Sequence, residues 1–533
     1  MKKKSLSRIL ALGLTAVMTA GMLVGCGGDG GSESTEASGG ASEESSAEES
    51  SAEESSAEES SAEESSEEAP EESSEAESSQ EAEGGSGEVP TLVYWTVGGT
   101  PADDFEENIA QISDYTEEKI GVRLDVKIAA WDQYDTKMNT IVNTGEYFDL
   151  MFTNNTNYSK FVNLGAFEDI TDLVQSVTPE LYSFIPEQLW SGTQIHGKVY
   201  AVPTYKDSSL TQFYYIDDTY VQKYNIDMTT IDSMQALDPI VREIKEAEGK
   251  SFYPIQLDQG SLWNGFFNNY DGLAGGIQSI GVKLDDESRQ VVCTLEQEDI
   301  MENLKLLHSW YTAGIINPDA NVMTDSGKGH MFGNAQGWPS AAAGWAVGQG
   351  IDKYIVNKVF GPIYTTETIQ GSMNAISVNS NYKEEALKVL QLMNTDSKFR
   401  DMCAYGIEGN HFEYTEDGFV NRLRDDWVWP SYTQGTFFIM SNQVGTDPNQ
   451  WDEVKKQNEE AVPSTCLGFA LDITNIQNEV STVNTVWDKY KYDLLTGASD
   501  PEEVVPRCIE ELKGAGLDTI IAEAQKQIDE FFK

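Results

Sequence analysis

The sequence predicts an α/β fold divided between lobes. Three observations carry that expectation. Strand and helix patterns alternate from Thr91 to Phe152, as parallel sheets covered by helices require. Residues 89–533 are too many for one hydrophobic core, so two or three lobes are expected. All 11 Trp fall in that stretch, whereas 27–88 contains no aromatic residue.

The run Thr91-Leu-Val-Tyr-Trp-Thr-Val97 reads as a buried strand, broken by Gly98-Gly99-Thr100-Pro101. Residues 103–119 follow with Phe105, Ile109, Ile112 and Tyr115 on one helical face, acids at the start and Gly121 as the stop. Residues 122–129 alternate as a second strand. Residues 131–142 form a second amphipathic helix (Tyr134, Met138, Ile141), ended at Gly145. Residues 147–152 are a third strand, with the polar loop Asn154-Asn155-Thr156-Asn157 behind it. In such sheets ligands bind at the carboxyl ends of strands, here 98–100 and 153–157. Residues 195–203 read as a hairpin around Gly197 leading to a strand that stops at Pro203; 210–216 is a strand after the loop Tyr205-Lys206-Asp207. Helices are expected at 217–224, at 230–248 with Thr230 or Asp232 as cap, at 297–314, 384–393, 396–403 and 518–532, and one capped by Ser499-Asp500-Pro501. Residues 260–281 are rich in Gly and aromatics. Residues 327–350 are rich in Gly and Ala, with Ala341-Ala-Ala read as a small-residue strand before Trp345.

Ahead of the folded part lies an export signal. Lys2, Lys3, Lys4 and Arg8 precede an apolar run, which ends at Leu23-Val24-Gly25-Cys26. This looks like a bacterial lipobox, with cleavage before Cys26 and diacylglycerol on its thiol, an anchor to the outer face of the cell membrane. Residues 1–25 are thus a lipoprotein signal peptide, and 26–88 are the lipidated Cys and a linker. The stretch 27–88 holds 22 acids and no Lys or Arg, and repeats Ser-Ala-Glu-Glu-Ser at a period of five. It cannot bury enough apolar surface to offset chain entropy, so disorder and a spacer role are expected.

The net charge is −54, and most of it remains on 89–533. Such a surface repels nucleic acid and anionic lipid, so no nucleic-acid partner is expected. Cys293, Cys403, Cys466 and Cys508 have no CxxC spacing, which argues against a metal cluster; an extracellular site permits disulfides, but a domain of this size does not need them, so buried free thiols are the leading expectation. No HExxH, GxSxG, P-loop or GxGxxG context occurs, and His196, His308, His330 and His411 do not cluster. No catalytic residue, metal or cofactor is assigned.

The segments in this order resemble the extracellular solute-binding proteins of carbohydrate ABC transporters, of the maltose-binding type. The carrying residues are Leu92-Val-Tyr-Trp95, Asn143-Thr-Gly-Glu-Tyr-Phe-Asp-Leu-Met-Phe152, and Gly197-Lys-Val-Tyr-Ala-Val-Pro203. Gly468-Phe-Ala-Leu-Asp472 and Thr496-Gly-Ala-Ser-Asp-Pro-Glu-Glu-Val504 resemble the C-terminal region of a Gram-positive lipoprotein subgroup. The resemblance implies a type II, two-lobe periplasmic-binding-protein-like fold over 89–533. One lobe would take about 89–204 plus part of 335–460, the other about 208–330 plus the C-terminal helices, with hinge crossings between them. It also implies a monomeric receptor that takes a carbohydrate, an oligosaccharide above all, to membrane permease subunits. A tethered glycoside-active enzyme, or a surface sensor without transport, is the alternative.

Sugars need aromatic planes for ring faces, and carboxylates or amides for hydroxyls. Asp207 follows the Pro203 strand end, where the family often places an acid. Asn154 and Asn155 follow the third strand, Trp95 ends the first, and Trp131 opens a helix beside the expected cleft. Trp263 lies in an irregular Gly-rich stretch, and Trp345 follows the small-residue run; Tyr205 is a further candidate. Trp429 and Phe469 are weaker, and Trp310 and Trp487 sit at core spacing. The maltose-binding type has an aromatic one residue after the third strand's Phe. This chain has Thr153, so the same oligosaccharide does not follow.

Overall fold

The computed structural model describes residues 89–533. The signal peptide, Cys26 and the acidic linker lie outside the described residues. Strand β1 (Thr91–Gly98), helix α1 (Phe105–Ile120), strand β2 (Arg123–Ala130), helix α2 (Trp131–Thr144) and strand β3 (Leu150–Thr153) follow the expected order. Both helices end at glycines in the left-handed region, Gly121 (φ 71°) and Gly145 (φ 69°), where a side chain would be strained.

β1 pairs in parallel with β2 and with β3. The five-stranded sheet continues through Met373–Ile376, antiparallel to β3, and ends at Ala201–Pro203. Both faces of β1 are buried. Leu92 and Tyr94 join Phe105, Ile109 and Ile112 of α1 in one cluster. Trp95 and Val97 join Tyr134, Met138 and Ile141 of α2 in another. That double cover explains why β1 reads as a near-continuous apolar run.

The second lobe is built on a four-stranded sheet ordered Phe332–Gln336, Leu210–Asp217, Tyr354–Tyr364, Val462–Pro463. Its core runs through residues 214–332 and returns in 466–528, so the C-terminal helices Gln477–Leu495, Pro501–Gly514 and Leu517–Phe531 complete it. Gly361 (φ 76°) sits where a Cβ would come 2.0 Å from the Leu210 carbonyl oxygen, so only glycine fits.

The chain passes between the two sheets three times. Residues 204–209 link Ala201–Pro203 to Leu210–Asp217; 365–372, with the short helix Thr366–Gln370, link Tyr354–Tyr364 to Met373–Ile376. The third passage lies between Met373–Ile376 and Val462–Pro463, where the chain re-enters the second sheet. Just beyond it, Ser464 N–H donates to the Tyr364 carbonyl (2.7 Å) and Gly468 N–H to Thr366 Oγ1 (2.9 Å), while Ser372 Oγ is hydrogen-bonded to Thr204 Oγ1 (3.0 Å) between the second passage and the first.

Two local expectations are corrected. Ala341-Ala-Ala is not a strand: Pro339–Ala341 is a 3₁₀ turn leading into the helix Ala342–Gln349, as alanine's helix propensity favours. The helix expected from 230 starts at Met234, capped by Ser233, whose Oγ accepts from Ala236 N–H (3.2 Å). The hairpin turn carries positive φ at both His196 (53°) and Gly197 (76°), a primed turn that suits strand twist. Cys293, Cys403, Cys466 and Cys508 are buried free thiols.

Candidate functional site

The carboxyl ends of β1, β2 and β3 are met by the segment 427–436. A Cβ on Gly98 would lie 2.2 Å from the Val428 carbonyl oxygen, so this glycine lets the segment press onto the end of β1. β2 passes directly into α2, which places Trp131 at the strand–helix junction. Trp131 is 49% exposed. Its indole stacks on Tyr432 (centroids 6.3 Å, 13° between planes), meets Phe152 edge-on (6.2 Å), and donates from Nε1 to Tyr432 Oη (3.0 Å).

Tyr432 is held by an unusual support. Arg400 is fully buried and donates from Nε to the Thr436 carbonyl (2.7 Å), from Nη2 to the Ser431 carbonyl (2.8 Å), and from Nη1 to the Gln434 side chain. Burial pushes its pKa down from the ordinary value, while neighbouring Cys403, Tyr405 and Asp401 favour the charge. Asn374 Nδ2 donates to the Thr433 and Gln434 carbonyls, and its Oδ1 accepts from Tyr94 Oη (2.6 Å). Ser372 Oγ donates to the Tyr432 carbonyl (2.6 Å). The loop is thus fixed by groups from the sheet, a helix and a crossing, and the aromatic pair is preformed.

Behind β3, Asn154 Oδ1 accepts from Thr156 N–H (3.1 Å), closing a turn into the helix Tyr158–Asn163. Asn155 points elsewhere: its Nδ2 donates to Glu367 Oε1 (3.1 Å) on the second crossing. Glu367 is half-buried, with its other oxygen against Gly272, where an added Cβ would come to 3.4 Å. Burial first, and the charge of Asp271 second, push the Glu367 carboxyl up to about 7. Asp271 is buried, accepts from Ser464 Oγ (2.5 Å) and Leu273 N–H (2.8 Å), and is itself shifted upward by burial.

On the first crossing Asp207 pairs with Lys206 (2.7 Å). That crossing is pinned by Asn458, whose Oδ1 accepts from Ser209 N–H (3.0 Å) and whose Nδ2 donates to the Lys206 carbonyl. Trp345 lies on the helix Ala342–Gln349, partly exposed, and stacks on Tyr215 (5.1 Å, 28°). Nearby, Ser340 donates from N–H (2.9 Å) and Oγ (2.6 Å) to Glu453 Oε2.

The other candidates face inward. Trp263 is 2% exposed, stacked on Phe332 (5.4 Å, 5°) and edge-on to Trp310 and Tyr214 within the second lobe's core. Tyr205 is buried against Phe438 (4.6 Å) and Phe184 (5.6 Å). Trp95 is buried under Lys137 (5.0 Å), and its Nε1 lacks a hydrogen-bond partner among the described residues. The structure thus brings Trp131 and Asn155 to the strand ends together with Tyr432 and Glu367, which the sequence reading did not single out. Tyr432 had one signal, the aromatic-dense run Trp427-Val-Trp-Pro-Ser-Tyr432; Glu367 had none. Among the described residues no group of three His, Cys, Asp or Glu is arranged to hold a metal.

Comparison with known proteins agrees with this architecture. Residues 98–398 match the family described as bacterial extracellular solute-binding protein, and 465–533 match a domain of unknown function (DUF3502). A carbohydrate ABC transporter substrate-binding protein of Streptococcus pneumoniae serotype 4 is 29% identical over 472 residues, 84% of this chain and 92% of the relative. The crystal structure of an N-glycan transport solute binding protein from S. pneumoniae is 27% identical, with a TM-score of 0.70 over 83% of this chain and 99% of that one. The same protein in complex with Man5GlcNAc gives a TM-score of 0.62 at 27% identity, over 83% and 98% of the two chains. An HMO binding, ABC-transporter associated solute binding protein from Bifidobacterium longum infantis, 18% identical with a TM-score of 0.58 over 83% and 99%, shares the fold.

Proposed function

Because the chain belongs to the bacterial extracellular solute-binding proteins, we propose that it captures a carbohydrate, an oligosaccharide, and presents it to the permease of an ABC importer. The observation that carries this reading is the exposed Trp131, stacked on Tyr432 at the strand ends and held there by a rigid loop. A sugar ring offers an apolar face of C–H groups, which a preformed indole plane covers without an ordering cost. Asn155, Asp207 and Glu367 would serve hydroxyl groups through charge-assisted or amide hydrogen bonds. Trp345 would offer a second plane from the other lobe. Trp263 and Tyr205 we leave to packing, because their faces are covered.

Hinge closure about the three crossings would bury the ligand, and the closed monomer would engage the permease. Acylation of Cys26 would hold the receptor on the outer face of the membrane, with 27–88 as its tether. The relatives' descriptions as N-glycan and carbohydrate binders support the ligand class.

Calorimetry and thermal shift with a panel of neutral oligosaccharides, Man1GlcNAc and Man5GlcNAc among them, test the reading. At least one glycan should raise the melting temperature and be recovered intact. Hydrolysis of the bound glycan would instead favour a tethered glycoside-active enzyme, and silence across the panel would overturn the carbohydrate assignment.

A further inference from the structure

Glu367 lies where the second crossing meets the first lobe at Asn155 and the second lobe at Gly272. Its own short helix Thr366–Gln370 is part of the second crossing, and Thr366 of that helix accepts from Gly468 N–H just beyond the third. Asn155, at the end of β3 in the first lobe, donates to its Oε1. The buried Asp271 of the second lobe acts on it electrostatically and accepts from Ser464 Oγ, just beyond the third crossing. The Asn155–Glu367 hydrogen bond therefore ties the first lobe to the hinge, and the charge that loads this bond sits in the second lobe.

The surroundings offer Glu367 little to balance its charge. On the β3 loop, residues 154–157 are all Asn or Thr. Of 270–273, Tyr270 is kept neutral by burial and donates to Asp299 (2.8 Å), which leaves Asp271; of 464–468, Cys466 has its thiol pushed up to about 12 and so neutral. The helix Glu187–Gly192, which packs on Ile369, carries only the exposed Glu187. Arg289 is turned to the Thr465 carbonyl (2.7 Å) and to the Phe532 ring (4.0 Å). Two carboxyl groups in one partly dry site cannot both ionise without repulsion, so a proton is taken up between them.

We propose that Glu367 is a proton-operated latch on the hinge. Protonated, it keeps its oxygen on Asn155 and sits beside Asp271 without repulsion, so the junction of first lobe and crossings is held. Ionised, it gains a stronger bond from Asn155, but burial first and the Asp271 charge second penalise the carboxylate by more, so the junction loosens toward solvent. The upward displacement of the Glu367 carboxyl places the change near neutrality. Ease of lobe movement, and hence ligand capture and release, would follow the acidity outside the cell.

The proposal takes from the preceding reading only that the lobes move, and no ligand enters its test. Hydrogen exchange of the full ligand-free chain is measured at pH 6 and pH 8, corrected for intrinsic exchange, for the natural protein, Glu367→Gln and Asn155→Ala. Protection in 154–157, 365–371 and 464–468 should fall about tenfold from pH 6 to pH 8 in the natural protein. Glu367→Gln, a neutral isostere that keeps the Asn155 bond, should stay protected at both pH values. Asn155→Ala should be poorly protected at both. Equal pH responses in the natural protein and Glu367→Gln would overturn the latch. Should Glu367→Gln not fold, an unchanged protection of the natural protein between the two pH values would overturn it equally. A latch that fails this test leaves the glycan panel untouched, and a silent panel leaves the latch standing.

Discussion

Trp131 leaves about half its surface to solvent, and its remaining contacts are Tyr432, Tyr134 and Phe152. Trp131→Ala should therefore leave the melting temperature within a few degrees while weakening a bound glycan about tenfold or more, measured by calorimetry. Arg400 behaves in the opposite way. Replacing it by Met strands the buried Thr436 carbonyl and the Gln434 side chain and frees the half-buried Ser431 carbonyl, so we expect a loss of about 2–4 kcal/mol in urea unfolding. Lys should not rescue it, because one ammonium cannot reproduce the planar fork. Glu367 adds a pH signature to stability. Its carboxyl is raised from 4.5 to about 7, so the folded chain holds the proton more tightly than the unfolded one. That contribution is complete below the unfolded carboxylate range and is lost as pH rises through about 7. The melting temperature of the natural protein minus that of Glu367→Gln should therefore fall between pH 4.5 and pH 7 and level off above; a flat difference would contradict the assignment.

Elements whose neighbours lie close in sequence were legible from the residues. β1, α1, β2, α2 and β3 announce themselves through apolar periodicity and the closing glycines Gly121 and Gly145. The strands Tyr354–Tyr364 and Met373–Ile376 were not legible. The first shows a mixed burial pattern without clean alternation, and the second is a four-residue run whose partners, β3 and Ala201–Pro203, lie far away in sequence. The same distance hid the site. Trp131 meets Tyr432 across 301 positions, and Asn155 meets Glu367 across 212, so no sequence window contains both members of either pair. Trp263 misled for a related reason: irregular backbone suggested an open surface, yet the loop folds inward onto Trp310 and Phe332. At this scale Gly361→Ala is the sharpest probe. The added Cβ meets the Leu210 carbonyl oxygen at 2.0 Å at a positive φ, so the two central strands of the second sheet must part there. We expect about 3 kcal/mol of destabilisation or more by denaturant titration.

Across the molecule, residues 465–533 are no appendage. Cys466, Phe469 and Leu471 enter the second lobe's core, and Val483, Trp487, Leu512, Ile520 and Ile528 fill it alongside residues from 214–332. A chain ending at residue 464 should lose cooperative unfolding in that lobe and become protease-sensitive, while 465–533 alone should not fold. The two lobes also share their chain in an interrupted way. Met373–Ile376 lies between β3 and Ala201–Pro203, so the first sheet contains a strand made long after its neighbours. The second lobe's core waits for residues as late as Ile528.

That order has a consequence for biogenesis. A ribosome that has released the first two hundred residues has released neither of the two large sheets complete, and the second lobe's core waits for the helix Leu517–Phe531. Neither lobe can complete its core while residues 373–376 and 466–528 are still missing. If the chain is exported, this topology would keep it able to thread through a translocation channel until residues near 528 are available to close the second lobe.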